Sequence, residues 1–358
     1  MNAIILRTGD YQRSIAGVSL LDRLVVELSR GGAESIKILG DPNQPELKRA
    51  VARGIAFEYA DGVPTLTEPT LVVRDDVFIQ RSDFTMLIEK GGTLQGPDKD
   101  PLPVGVLEDG SLENLKERLA GLEQHAPEGV TQTVRSQDDA EQAERLLWAT
   151  MGSKCDGVVD TWLNRPVGRC LSKLLVWTSV TPNQVSAGST ILGVAAGALF
   201  YLGPYWPALW GAILLQVSAV IDCVDGDIAR VAYKESELGR WLDIVGDNVV
   251  HITVFVGVGI GLWVQGDVGA LPLGISAGIG ALISFLVVLR GMSARHEDNA
   301  RLQSFLDKMA NRDFSVLLLI LAAMDQLWLF LWMVGIGVHV FWVVALIILS
   351  TGGKARPE

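Results

Sequence analysis

The chain is short of cysteine, of positive charge and of histidine in any useful grouping, and each shortage closes a line of interpretation. Its three cysteines, Cys155, Cys170 and Cys223, are odd in number and lack C-x-x-C spacing, which speaks against a disulfide framework and a zinc site and fits a reducing-side protein. Lys and Arg number 30 against 41 Asp and Glu, and no basic run is interleaved with aromatics, so nucleic acid is not an expected partner. The histidines, His125, His251, His296 and His339, are scattered without ligand spacing and read as ordinary residues. Met1–Arg13 holds no apolar core of signal-peptide length, so no cleaved export signal is expected.

What the chain has in plenty is unevenly placed. Residues 1–150 carry 25 Asp and Glu against 16 Lys and Arg, whereas residues 151–358 carry 16 against 14, so the acidity belongs mostly to the first half. Nine of the ten tryptophans follow residue 151, as suits a region with two membrane interfaces. In the first half, β-rich runs (Ala3–Leu6, Ser35–Leu39, Thr70–Val73) alternate with helical patterns (Leu20–Ser29, Glu46–Arg53), which predicts a soluble, Rossmann-like α/β domain over 1–135. Gly31, Gly32 and Gly40 stand where helices should stop and strands should turn, and Gly91–Pro103 reads as a loop. Asp138–Thr150 is expected to be a connecting helix.

Residues 136–180 are predicted to hold connecting and interfacial helices. Within them Val158–Trp177 mixes apolar residues with Arg165, Arg169 and Lys173 at helical spacing, which suits a helix lying in the membrane interface and broken near Pro166. Six apolar stretches follow: Asn183–Leu202, Trp206–Ile221, Ile244–Val264, Leu271–Leu289, Phe314–Met324 and Leu327–Ser350. Most reach the ~20 residues a bilayer-crossing helix needs; Phe314–Met324 is short and counts as a span because Asp325–Gln326 makes a turn before a longer run. Residues 181–358 are therefore expected to form an all-α, six-helix transmembrane domain. Lys and Arg gather between spans two and three, between spans four and five, and after span six, whereas Gly203–Tyr205, Gln265–Ala270 and Asp325–Gln326 have none. That bias puts both termini in the cytoplasm, at an inner or plasma membrane.

The segment Ile221–Asp247 reads I-D-C-V-D-G-D-I-A-R-V-A-Y-K-E-S-E-L-G-R-W-L-D-I-V-G-D. A helix turns about 100° per residue, so Asp222, Asp225, Gly226 and Ala229 share one face with Arg230 at its edge. On the next helix Gly239, Asp243 and Asp247 recur at i, i+4 and i+8, and an antiparallel hairpin brings both pairs of carboxylates together. Clustered carboxylates near a bilayer repel and are costly to desolvate, so they call for a divalent cation or a water-filled cavity. All-oxygen ligation points to magnesium or manganese, and two ions could bridge a diphosphate. The small residues let a flat ligand approach the backbone, and Arg230 can fork onto phosphate oxygens. A solvated acidic loop is the plain alternative, and it has no need of small residues in register with the acids.

The spacing D-x-x-D-G-x-x-A-R-x8-G-x3-D-x3-D is met at every fixed position and resembles the signature of the CDP-alcohol phosphotransferase family. The resemblance implies a six-helix membrane enzyme that displaces CMP from a CDP-alcohol by an acceptor hydroxyl. It implies Asp222, Asp225, Asp243 and Asp247 as metal ligands, Asp247 as the group that takes the hydroxyl proton, and Gly226, Ala229, Arg230 and Gly239 as the nucleotide bed. Thr181–Ser186 is similar to the family's approach to span one, with Asn183 facing the nucleotide; a helix start after proline explains the same segment. Lys154, Arg165, Arg295 and Arg312 are candidates for an anionic acceptor or phosphate, and topology-setting charges are the simpler reading of each. The donor is expected to be CDP-diacylglycerol or a CDP-polyol, and the acceptor inositol phosphate, glycerol phosphate or a lipid alcohol. A homodimer is implied by the family, with Gly193 and Gly197 permitting close helix packing.

The N-terminal runs Gly17–Leu24, Gly31–Ala33 and Thr70–Asp76 resemble a nucleotidyltransferase, as in fused cytidylyltransferase proteins that make inositol-lipid precursors. Leu6–Ile15 offers only Gly9, Arg7 and Arg13 where an active enzyme has a glycine-rich basic loop, so a degenerate domain is expected. The rivals are a bifunctional enzyme that also makes its CDP-alcohol from CTP, a cation transporter, and an inactive membrane scaffold.

Overall fold

The computed structural model describes residues 1–8, 13–40, 45–62, 64–96, 99–152, 157–203, 205–292 and 314–352. They divide into two compact units, Met1–Met151 with Val231–Tyr233, and Gly152–Arg230 with Lys234–Glu358.

In the first unit the β-branched runs become strands. They are β1 (Asn2–Leu6), β2 (Ser14–Ile15), β3 (Val18–Ser19), β4 (Ser35–Leu39), β5 (Glu58–Ala60), β6 (Thr70–Arg74), β7 (Val77–Phe78), β8 (Thr93–Gln95), β9 (Pro101–Leu107), β10 (Gln124–His125) and β11 (Gln132–Thr133). Seven form one sheet in the order β10-β8-β9-β6-β1-β4-β5. Strand β1 pairs parallel with both β4 and β6, and its Ala3, Ile4 and Ile5 are buried, as a central parallel strand covered on both faces should be. The helices are α1 (Leu20–Gly31), α2 (Lys48–Ala52), α3 (Arg81–Lys90), α4 (Leu115–Ala120) and α5 (Gln137–Thr150). Helix α1 starts on a Ser19 cap and stops at Gly32, whose φ of 106° is the left-handed conformation that glycine adopts without strain.

The stretch Gly91–Pro103, expected to be a loop, contains β8 and the start of β9. Glycine and proline weaken a strand's propensity, but Gly91 and Gly92 take positive φ ahead of β8, Pro101 opens β9, and Pro103 falls where the pairing of β8 with β9 is irregular. Buried acids in this unit are met by the chain itself. Asp22 accepts the amides of Arg49 and Ala50, each at 2.8 Å, and burial still pushes its carboxyl above the usual range. Tyr233, buried among Arg23, Arg30 and Glu27, donates to Glu27 at 2.6 Å, and burial pushes its phenol upward.

In the second unit, the interfacial stretch is helical straight through Pro166. A π-helical turn, Asp160–Asn164, runs into α6 (Arg165–Leu175), so the expected break is absent. Pro166 closely follows the π-helical turn, and that wider turn accommodates both its ring and its missing N–H. Val158, Trp162, Val167, Leu174 and Trp177 are exposed along this segment. Then come α7 (Pro182–Tyr201), α8 (Tyr205–Val231), α9 (Glu237–Val264), α10 (Ala270–Met292), α11 (Phe314–Ala323) and α12 (Leu327–Gly352). Five of them, α7 to α10 and α12, are long and apolar enough to cross a membrane; α11, at 10 residues, is shorter.

Helices α7 and α9 touch backbone to backbone. A Cβ at Gly193 would lie 2.5 Å from Val250, one at Gly197 2.5 Å from Thr253, and one at Gly261 2.2 Å from the Phe200 carbonyl oxygen. The two glycines that the sequence offered for dimer packing are thus occupied by a helix of the same chain. This close crossing sets the distance between α7 and the acid-bearing face of α9.

Candidate active site: an acidic cleft on three helices

Helices α8 and α9, at 27 and 28 residues, are longer than the ~20 a bilayer requires, and the acids sit in or within a turn of the surplus. Asp222 and Asp225 lie near the C-terminal end of α8. Asp243 and Asp247 lie near the N-terminal end of α9, which opens on a Ser236 cap that accepts the Gly239 amide at 3.0 Å. Antiparallel succession therefore carries the two pairs to one end of the unit. Single oxygens of Asp222, Asp225 and Asp243 all lie within 4.8 Å of one another.

Helix α7 supplies two hydroxyls that the sequence reading did not single out as ligands of anything. Ser186 donates to Asp225 Oδ2, and Ser189 lies 3.3 Å from Asp222 Oδ1. Their spacing of three residues is the only signal a sequence carries for this, and it is indistinguishable from ordinary helix serines. The acids of α8 are oriented by a neighbouring helix before any ion arrives.

A cleft of ≈ 190 Å³ opens beside the triad. Its walls include Asp225, Gly226, Ala229, Arg230, Gly239, Asn183 and Asp243, so the five residues expected to bed a nucleotide line one cavity with two of the acids. A Cβ at Gly239 would stand 2.7 Å from Asn183 Oδ1, and one at Gly226 3.3 Å from Arg230 Nη1. Asp247 occupies a different position. It faces a pinhole cavity of ≈ 20 Å³ with Asp222, and it shares with Asp243 an apolar cavity of ≈ 550 Å³ walled by Phe255, Phe285, Phe314 and Phe330. His251, one turn further along α9, lines both of these cavities and stacks on Phe255.

Arg165 does not line the cleft. It is buried, and its Nη1 donates to Asp227 Oδ1 at 2.7 Å. Asp227 itself was passed over in the sequence because it falls between the fixed positions of the motif. Lys154, Arg295 and Arg312 lie outside the described residues, as do positions 9–12 of the expected phosphate loop.

The donor set fits a hard divalent ion. Oxygens sharing one six-coordinate magnesium at ~2.1 Å stand about 3 Å apart when adjacent and about 4.2 Å when opposite, so the triad would draw together by about 2 Å or less on taking up an ion. The match to known proteins falls on the same stretch: residues 179–300 fit the family model described as CDP-alcohol phosphatidyltransferase. With five helices of spanning length among the described residues, the chain is an integral membrane protein.

Among its relatives, the bifunctional IPC transferase and DIPP synthase of Aquifex aeolicus is 36% identical over 118 residues, 33% of this chain and 26% of that protein. The archaetidylinositol phosphate synthase of Pyrococcus horikoshii is 31% identical over 111 residues, 31% of this chain and 57% of that protein. The chain thus spans about a quarter of the length of the bifunctional relative. The manganese- and citrate-bound phosphatidylinositol phosphate synthase of Mycobacterium tuberculosis aligns at a TM-score of 0.37 and 18% identity, covering 55% of this chain and 93% of that one.

Proposed function

We propose that this protein transfers a phospho-alcohol group from a CDP-alcohol to a hydroxyl acceptor and releases CMP. One observation carries the reading: three carboxylates from two antiparallel helices converge within 4.8 Å beside a cleft walled by Gly226, Ala229, Arg230 and Gly239. A bound divalent ion supplies charge neutralisation at the diphosphate and stabilises the departing phosphate. Asp222, Asp225 and Asp243 are the residues that hold it. Magnesium or manganese, as two ions with Asp247 touching the second, is the occupancy we propose.

In this reading Asn183, Gly226, Ala229 and Gly239 bed the cytidine and its phosphates, and Arg230 forks onto a diphosphate oxygen. The acceptor oxygen bonds to the distal phosphorus as the bond from that phosphorus to the bridging oxygen breaks, and CMP leaves with the bridging oxygen. Asp247 takes the acceptor's proton, since it stands where the acidic triad meets the large apolar cavity. That cavity supports a lipid donor, CDP-diacylglycerol, over a soluble CDP-polyol, because its wall of Phe255, Phe285, Phe314, Phe330 and Phe341 suits acyl chains while Asp243 and Asp247 mark its polar side. Two relatives named for inositol phosphate lipids support inositol phosphate as acceptor over glycerol phosphate or a lipid alcohol. Since Asp227 engages Arg165, we assign the acceptor's anionic contacts first to Lys154, Arg295 and Arg312.

The proposal extends to the whole chain: a nucleotidyltransferase-like domain over 1–135, degenerate and Rossmann-like, a linker with interfacial helices over 136–180, and six spans over 181–358 with α11 as the short one. Both termini are cytoplasmic, and the assembly is a homodimer. The test is CMP release from the purified chain given CDP-diacylglycerol and inositol 1-phosphate. Release should require magnesium or manganese and stop in EDTA; release that persists in EDTA would sink the assignment. A second reading, synthesis of the CDP-alcohol by the same chain, is favoured by the names of the bifunctional relatives. The full-length Asp243→Asn variant supplied with CTP and inositol 1-phosphate decides it, because a CDP-inositol product would then accumulate.

A further inference from the structure

The acid that the motif skips is the most deeply placed among the described residues of this unit. Asp227 is fully buried, and residues two apart on a helix point about 200° from each other, so Asp225 faces the cleft while Asp227 faces away from it. Its Oδ1 accepts from Arg165 Nη1 at 2.7 Å and from Arg230 Nη2 at 3.0 Å. The two guanidiniums differ in what else they meet. Arg165 is 9% exposed, whereas Arg230 is 36% exposed and lines the cleft with Asp225 and Asp243.

Two positive charges on one carboxylate leave a net positive charge, and its exposed end is Arg230. Without a restraint, a long flexible guanidinium in a cleft with two carboxylates would collapse onto them and compete with the metal for their oxygens. Asp227 prevents this from behind. It holds the guanidinium along the bare backbone of Gly226, where a Cβ would come within 3.3 Å of Nη1 and 3.4 Å of Nη2. The glycine therefore serves the arginine's seat as well as the ligand's approach. A buried carboxylate facing Arg230 alone would be poorly compensated, and Arg165 makes up the balance from α6.

We propose that Asp227 is a positioning residue for the donor's diphosphate, acting through Arg230, with Arg165 as the second cation on its carboxylate. The inference rests on the nucleotide reading of the cleft given above. Since the alcohol of the donor is not needed, the probe is CDP, which every such donor contains, compared with CMP. Binding is measured by calorimetry on the full-length chain in detergent at saturating magnesium.

Asp227→Asn should weaken CDP by about tenfold and CMP by less than about threefold, because a misplaced fork costs most where the second phosphate lies. In an Arg230→Gln background, adding Asp227→Asn should change CDP affinity no further, since two residues acting through one contact do not add. A purely structural role would weaken both nucleotides alike and would add to Arg230→Gln; either result overturns the proposal, as does unchanged CDP affinity. If Asp227→Asn does not fold, Asp227→Glu keeps the charge and displaces it by one methylene. The same selective loss of CDP is then expected, and wild-type CDP affinity in that variant would overturn the inference. Failure of the wild-type chain to bind CDP with magnesium would instead overturn the nucleotide reading itself, and the inference with it.

Discussion

The two units of this chain set carboxylates among different neighbours. In the sheet unit, Asp83 accepts the Glu128 amide at 2.7 Å, the Gly129 amide at 3.2 Å and the Thr131 hydroxyl at 2.6 Å, and Asp22 accepts two amides. These carboxylates tie loops and helix ends together with the chain's own donors. In the membrane unit, Asp222, Asp225 and Asp243 face one another. An acid surrounded by amides is a structural part, whereas acids that converge are suited to share a cation. Burial alone does not separate the two kinds; the identity of the nearest groups does.

The sharpest way to break this contrast is Asp243→Asn. Metal-dependent CMP release should fall about a thousandfold, the several kcal/mol that a bound ion supplies. The metal-free protein should melt at the same or a higher temperature, because one repelling charge has gone; a marked loss of stability with activity intact would reverse the assignment. Asp83→Ala should do the opposite. It strands three donors and should cost about 3 kcal/mol in the sheet unit, read by chemical denaturation, with metal affinity unchanged.

The smallest effect sharpens the comparison at the surface. Asp139 completes a capping box at the start of α5 and accepts the amides of Arg135 and Ser136, which hold its carboxyl below the usual range. A depressed carboxylate contributes its stability above its unfolded value, about 3.9, and loses it as pH falls through the lower folded value. Asp139→Ala should therefore cost about 1 kcal/mol at neutral pH, with the gap to wild type closing in acid. The group is exposed, so solvent screening keeps the linkage part of this small.

Much of this was legible beforehand where the physics is local. Alternation and β-branching located β1, β4 and β6, and apolar length located the five long helices. Spacing put Asp222 with Asp225, and Asp243 with Asp247, on single helical faces. Gly91–Pro103 was misread because composition reports propensity, and a strand pinned by neighbours on both sides overrides it. The break at Pro166 was misread because proline's cost depends on its position in the turn. Gly193 and Gly197 were read as room for a partner, although only packing shows which helix takes it.

By itself, the sequence determined which side chains share a helical face, since a fixed rotation per residue converts spacing into direction. It also determined that a long apolar half carries acids that an isolated bilayer would reject. Tertiary structure alone decided which face meets which. Ser186 and Ser189 reach Asp225 and Asp222 only because α7 packs against α8, where a Cβ at Gly211 would come within 2.9 Å of the Ala196 carbonyl oxygen, and Asp227 meets Arg165 only because that arginine arrives from another helix. Such meetings join residues far apart in the chain, where no periodicity connects them.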